Sequence, residues 1–139
     1  MIKKNKIGFI GAGIMGQGMV QNLLKAGNEV SIIANKNRSP IEALVALGAN
    51  EMMSLFDMVS YSNCFILCLP SSKIAISVCD ELFPLLSPGT LIIDCTTNDL
   101  VSVEYLAKNA KKAKLRFVEA PLTGGQKQSL DAMLGAIVG

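Results

Sequence analysis

Histidine and tryptophan are absent from this 139-residue chain, and charge is sparse: 13 Lys and Arg stand against 11 Asp and Glu, a net charge of +2. That balance is too small to point to nucleic acid. There are only five Phe and two Tyr, and no basic run is interleaved with them. The cluster Lys108, Lys111, Lys112, Lys114 and Arg116 reads more simply as the solvated face and C-terminal end of a helix. No apolar run approaches the ~20 residues of a membrane span. The charged opening Met1 to Lys6 leads into an apolar stretch broken at once by glycine, so no secretory signal is expected. The expected location is cytoplasmic, with neither membrane nor nucleic acid as a partner. The cysteines are Cys64, Cys68, Cys79 and Cys95. On one strand, Cys64 and Cys68 would lie roughly 13 Å apart, too far for a disulfide or a shared zinc. All four are expected to be reduced thiols, buried or partly buried, and no metal site is expected. Half of the chain is hydrophobic, enough for the core of one domain.

The most informative segment is Gly11-Ala12-Gly13-Ile14-Met15-Gly16. It follows the apolar run Ile7–Ile10 and precedes a helical pattern, the setting of a dinucleotide-binding βαβ unit rather than of a chance glycine turn. Gly11 permits the tight turn, Gly13 lets the backbone approach a pyrophosphate, and Gly16 lets helix and strand pack closely. The helix N-terminus offers free N–H groups and partial positive charge.

Strand-like and helix-period segments alternate along the chain. Strands are expected at Lys6–Ile10, Glu29–Ala34, Asn50–Met52, Cys64–Leu69, Thr90–Asp94, Leu115–Val118 and Met133–Val138. Helices are expected over Met15–Lys25, closed by Gly27, and over Pro40–Leu47, closed by Gly48. Further helices fall at Ser54–Tyr61, after Ser71 and Ser72, and from Asn98 or Asp99 to Lys112. Thr123-Gly124-Gly125 reads as a loop. This alternation predicts an α/β fold, a Rossmann-type doubly wound, mainly parallel sheet in a single domain over residues 1–139.

An NAD site of this type carries an acidic residue about twenty positions after the glycines. Here the end of the second strand reads Ala34-Asn35-Lys36-Asn37-Arg38-Ser39, with no carboxylate. Arg38 can fork onto a 2′-phosphate and Lys36 can add a point charge. Asn35 or Ser39 can donate a hydrogen bond. NADP is therefore expected over NAD, against the plainer alternative of a solvated loop with two incidental cations. Three further loops fall at the carboxyl edge, where such sheets bind ligands. They are Leu69-Pro70-Ser71-Ser72, Asp94-Cys95-Thr96-Thr97 and Glu119 to Gly125. Thr123-Gly124-Gly125 offers a hydroxyl and backbone N–H groups to a carboxylate, although it also fits a plain flexible turn.

Together these segments resemble the β-hydroxyacid dehydrogenase family, which includes 3-hydroxyisobutyrate dehydrogenase, 6-phosphogluconate dehydrogenase and tartronate semialdehyde (glyoxylate) reductase. The resemblance rests on Ile7–Gly16 with Asn22-Leu23 and Ala26-Gly27, on Leu69-Pro70 and Asp94–Thr97, on Ala120–Gly125, and on the tail Met133–Gly139. It implies the N-terminal NAD(P)-binding domain of a dehydrogenase or reductase acting on CH–OH. Hydride would pass between nicotinamide and a small 3-hydroxy acid or semialdehyde. Gly11, Ala12, Gly13, Ile14, Met15 and Gly16 would bind pyrophosphate. Leu69, Pro70 and Thr97 would line the nicotinamide side, and Thr96, Thr123, Gly124 and Gly125 would meet substrate.

Where the family has Asp before Ala-Pro, Ser before Gly-Gly and Ser-Thr after the strand-five Asp, this chain has Glu119, Thr123 and Thr96-Thr97. Each keeps the functional group with one more carbon, so a different substrate is expected. The family's general acid/base is a lysine on a helix beyond Gly139. Lys127, the lysine nearest the substrate loop, does not match it. The resemblance thus implies no catalytic residue within this chain, a helical C-terminal domain elsewhere, and a homo-oligomer for the intact protein. The alternatives are an imine-type reductase sharing the opening motif, and a non-catalytic NADP-binding sensor or regulatory module.

Overall fold

A computed structural model describes residues 4–139 of the chain, so the first three residues of the charged opening, on which the absence of a leader was partly argued, lie outside the described residues. Six strands form one parallel sheet: β1 (Lys6–Ile10), β2 (Glu29–Ile33), β3 (Asn50–Met52), β4 (Cys64–Leu67), β5 (Leu91–Asp94) and β6 (Arg116–Glu119). Their spatial order is β3-β2-β1-β4-β5-β6. The order reverses between β1 and β4, so a crevice opens at their carboxyl ends. Helices α1 (Ile14–Lys25), α2 (Ser39–Ala46), α3 (Leu55–Tyr61), α4 (Ser72–Leu82) and α5 (Leu100–Lys112) supply the crossovers.

The strand side chains divide between two cores. Phe9, Val30 and Ile32 pack with Val20, Ile41 and Leu44 under α1 and α2. On the other face Ile10, Phe65, Leu67 and Ile92 pack with Met58, Cys79, Leu82 and Leu106 of α3, α4 and α5. Burial on both faces explains why these strands read as continuous apolar runs. Gly8 belongs to this packing too, because a Cβ there would press within 2.7 Å of the Phe65 ring.

Helix starts follow the expected caps. Ser71 accepts from the Ile74 N–H at 3.3 Å. Asp99, rather than Asn98, accepts from the Ser102 N–H at 2.9 Å. The strand expected over Met133–Val138 is corrected by the structure. Only Gly135–Ala136 (β8) forms a strand, and it pairs antiparallel with Leu122–Thr123 (β7) in a separate ribbon. Pro121 has no N–H to give to the tail, so beyond β8 the pairing is one-sided: the Pro121 carbonyl accepts from the Ile137 N–H and the Glu119 carbonyl from the Gly139 N–H, each at 3.0 Å. The short helix α6 (Gln126–Leu130), not anticipated from the sequence, reverses the chain before β8.

Candidate functional site

Because the six strands are parallel, the loops after β1, β2, β4, β5 and β6 all emerge at one edge of the sheet. The loop after β1 is sterically over-determined. Gly11 has φ +106°, and a Cβ there would collide with the Cys68 carbonyl oxygen. A Cβ on Gly16 would collide with the Gly11 carbonyl and the Phe9 ring. Gly13 is different: nothing lies within 4 Å of where its Cβ would be. It is also the N-cap of α1, and no side chain caps that helix. Polar N–H groups therefore face an open cradle, the geometry and dipole that a pyrophosphate fits. Ile14 is 69% exposed beside it.

After β2, Asn35, Lys36, Arg38 and Ser39 are all exposed, and Asn37 accepts from the Ser39 N–H at 3.1 Å. Arg38 is not a free cation. Its Nη2 meets Glu51 Oε1 at 2.9 Å, and its Nε lies 3.9 Å from Glu42 Oε1. Glu51 is a site residue that the sequence reading missed. It comes from β3, where it is paired with Ile32 of β2, and nothing local in the sequence signals that proximity.

Between the β4 and β5 loops lies a brace. The Leu69 N–H donates to Thr96 Oγ1 at 3.0 Å, and the Thr96 N–H donates to Asp94 Oδ1 at 3.0 Å. Asn98 Nδ2 adds a 2.8 Å bond to Asp94 Oδ2. Thr96, expected to meet substrate, is 1% exposed, and its hydroxyl oxygen helps to hold Leu69 in place. Thr97 and Pro70 are the exposed members of the two loops. The Cys95 thiol, beside this brace, is pushed up to about 12 by burial and by the nearby Cys68 and Asp94, so it stays protonated at neutral pH. All four cysteines are free, Cys79 and Cys95 being buried and Cys64 and Cys68 partly so.

After β6, Thr123 is exposed and lies within β7 rather than in a loop. Gly124 turns the chain at φ +116°. The Gly125 N–H, expected to be available to an anion, already donates to Gln128 Oε1 at 2.9 Å. The segment is then clamped to α1. Ser129 Oγ donates to the Met15 carbonyl at 2.6 Å, and Asn22 Nδ2 donates to the Ser129 carbonyl at 2.8 Å. Gly18 leaves no room for a Cβ against Ser129. This clamp ties the Thr123–Gly125 turn to the helix that carries the glycine cradle. Lys127 Nζ is paired with Asp131 at 2.9 Å. Among the described residues, no cluster of His, Cys, Asp or Glu could hold a metal ion, and no helix is long and apolar enough to cross a membrane.

The family model described as the NAD binding domain of 6-phosphogluconate dehydrogenase matches residues 6–139. The chain is 34% identical over 131 residues to glyoxylate/succinic semialdehyde reductase 2, chloroplastic, of Arabidopsis thaliana, covering 92% of this chain and 36% of that protein. The solved 3-hydroxyisobutyrate dehydrogenase of Mycobacterium tuberculosis with L-serine superposes with a TM-score of 0.93 at 26% identity, covering 99% of this chain and 47% of that one. An imine reductase from a Pseudomonas species superposes at 0.81 with 28% identity, covering 91% and 44%. The chain thus spans between about a third and a half of the length of these proteins.

Proposed function

This chain belongs to the β-hydroxyacid dehydrogenase family, as the NAD-binding domain of the 6-phosphogluconate dehydrogenase type, and we propose that it holds NADP in preference to NAD for reaction with a small 3-hydroxy acid or semialdehyde. The observation that carries this reading is the uncapped start of α1 with open space at Gly13, at the point where the strand order reverses. When bound, the nicotinamide supplies the hydride acceptor or donor for the alcohol or carbonyl carbon. The backbone from Gly11 to Gly16 binds the pyrophosphate. Arg38 meets the 2′-phosphate, with Lys36 adding charge and Asn35 or Ser39 a hydrogen bond. Leu69, Pro70 and Thr97 line the nicotinamide, and Thr96 supports it by fixing Leu69.

The Thr123 hydroxyl and the backbone at Gly124 and Gly125 receive the substrate carboxylate, which competes with Gln128 for the Gly125 N–H. The similarity to a glyoxylate/succinic semialdehyde reductase and to a 3-hydroxyisobutyrate dehydrogenase solved with L-serine supports a small acid or semialdehyde as the substrate class. An imine reductase has a similar fold, but the Thr123 hydroxyl and the glycine backbone after it support the acid substrate over the imine alternative. Lys127, paired with Asp131, does not serve as the proton acceptor. Residues 1–139 by themselves are expected to bind cofactor with little or no turnover. General acid/base help contributes about 10²–10⁴ in rate.

Calorimetric titration of the chain with NADPH and with NADH tests the reading. Tighter NADPH binding, lost in Arg38→Ala and weakened in Lys36→Ala, supports it. A preference for NADH, or dehydrogenase turnover at ordinary rates by these 139 residues, overturns the corresponding part.

A further inference from the structure

Arg38 enters the nucleotide site already holding a carboxylate. Both Glu51 oxygens lie within hydrogen-bond distance of one guanidinium nitrogen, Nη2, at 2.9 and 3.1 Å. The two partners differ in freedom: the Arg38 side chain is 53% exposed and that of Glu51 only 24%. Glu51 is held in position by its strand. It pairs with Ile32, and paired residues of a parallel ladder project to the same face, here the face covered by α1 and α2. The arginine is the more exposed member.

We propose that Glu51 is a specificity-determining residue that limits the preference for NADP by occupying Arg38 and by repelling the 2′-phosphate. This rests on the reading that Arg38 meets that phosphate. A carboxylate and a phosphate are both anions, and one guanidinium nitrogen cannot face both at full strength. Where the phosphate binds, the Glu51 charge remains beside it, partly buried and so less screened than a surface charge. NADH carries a neutral 2′-hydroxyl and meets neither penalty. Glu51 therefore lowers NADPH affinity selectively and brings the two cofactors closer together. Glu42, at 3.9 Å and 71% exposed, exerts the same effect more weakly.

The test is a double-variant cycle on the chain, with NADPH and NADH titrated against wild type, Glu51→Gln, Arg38→Ala and the double variant. Glu51→Ala is the second probe should the glutamine variant fold poorly, and thermal melts check each protein. Glu51→Gln is expected to tighten NADPH roughly three- to tenfold and to leave NADH within about twofold. The part of the gain that comes from freeing Arg38 should be lost when Arg38 is also removed, so the gain should shrink to what direct repulsion of the phosphate contributes. Glu51→Gln leaving NADPH affinity unchanged, or weakening it because Glu51 in fact pre-orients the arginine, overturns the inference while Arg38→Ala still weakens NADPH. If Arg38→Ala itself leaves NADPH affinity intact, the reading of Arg38 fails and the inference falls with it.

Discussion

At the scale of single residues, the glycine loop separates folding from binding. Gly13 and Gly16 belong to one motif, but only Gly16 is hemmed in. Gly13→Ala should shift stability by less than about 1 kcal/mol, because the added methyl meets no protein atom. The same methyl would stand in the pyrophosphate cradle, and NADPH affinity should fall tenfold or more. Gly16→Ala should destabilise by roughly 1–3 kcal/mol through its clash with the Gly11 carbonyl and Phe9. Equal melting temperatures for the two variants would count against this division. Asp99 carries a pH dependence. The backbone N–H of Ser102 and then the Ser102 hydroxyl hold its carboxyl below the usual range, against an opposing contribution from burial, with a lesser lowering from Ser72. A depressed folded-state pKa contributes stability that is complete above the ordinary carboxylate range and is lost as pH falls through the folded value. Asp99→Asn keeps the cap without the charge. The advantage of wild type over this variant in melting temperature should therefore shrink on acidification to pH 3, and a difference independent of pH would refute the assignment.

At the scale of elements, α6 is informative because it is short and remote in sequence from what holds it. Five residues cannot sustain a helix by propensity. Its stability comes from the clamp on α1, through Ser129 Oγ to Met15 and Asn22 Nδ2 to the Ser129 carbonyl. Ser129 is 1% exposed, so its bond is shielded from water. Ser129→Ala leaves the Met15 carbonyl without this donor, at a cost of about 1–2 kcal/mol. Amide exchange should accelerate selectively over residues 126–130, with the sheet protected as before. Uniform acceleration across β1 and β4 would show that α6 is integral to the core. The tail beyond α6 shows what the clamp does not bury: Met133, Ile137 and Val138 are 72%, 66% and 69% exposed.

At the scale of the whole molecule, a cofactor that binds only the folded chain must stabilise it. At a free concentration of 100 times Kd the gain is about 2.7 kcal/mol. For a domain of this size that raises the melting temperature by roughly 8–10 °C. NADPH should give a larger shift than NADH at equal concentration, and a shift of equal size would place Arg38 among incidental surface charges. The alternation of strands and helices that implies a parallel sheet, the glycine turn and the serine and aspartate caps were legible in the sequence, because each depends on residues close together in the chain. Period, backbone freedom and capping are local physics. The apolar runs of β4 and β5 likewise announced a sheet covered on both faces. What the sequence could not show was decided by contacts between distant segments. Thr96 reads as an exposed hydroxyl in a loop until β4 brings the Leu69 N–H against it. Arg38 reads as a free cation until β3 pairs with β2 and delivers Glu51. Met133–Val138 reads as a full strand until Pro121 withholds a donor and α6 turns the chain aside. Local patterning sets which elements form, whereas the partner of each polar group depends on which strands the sheet places side by side.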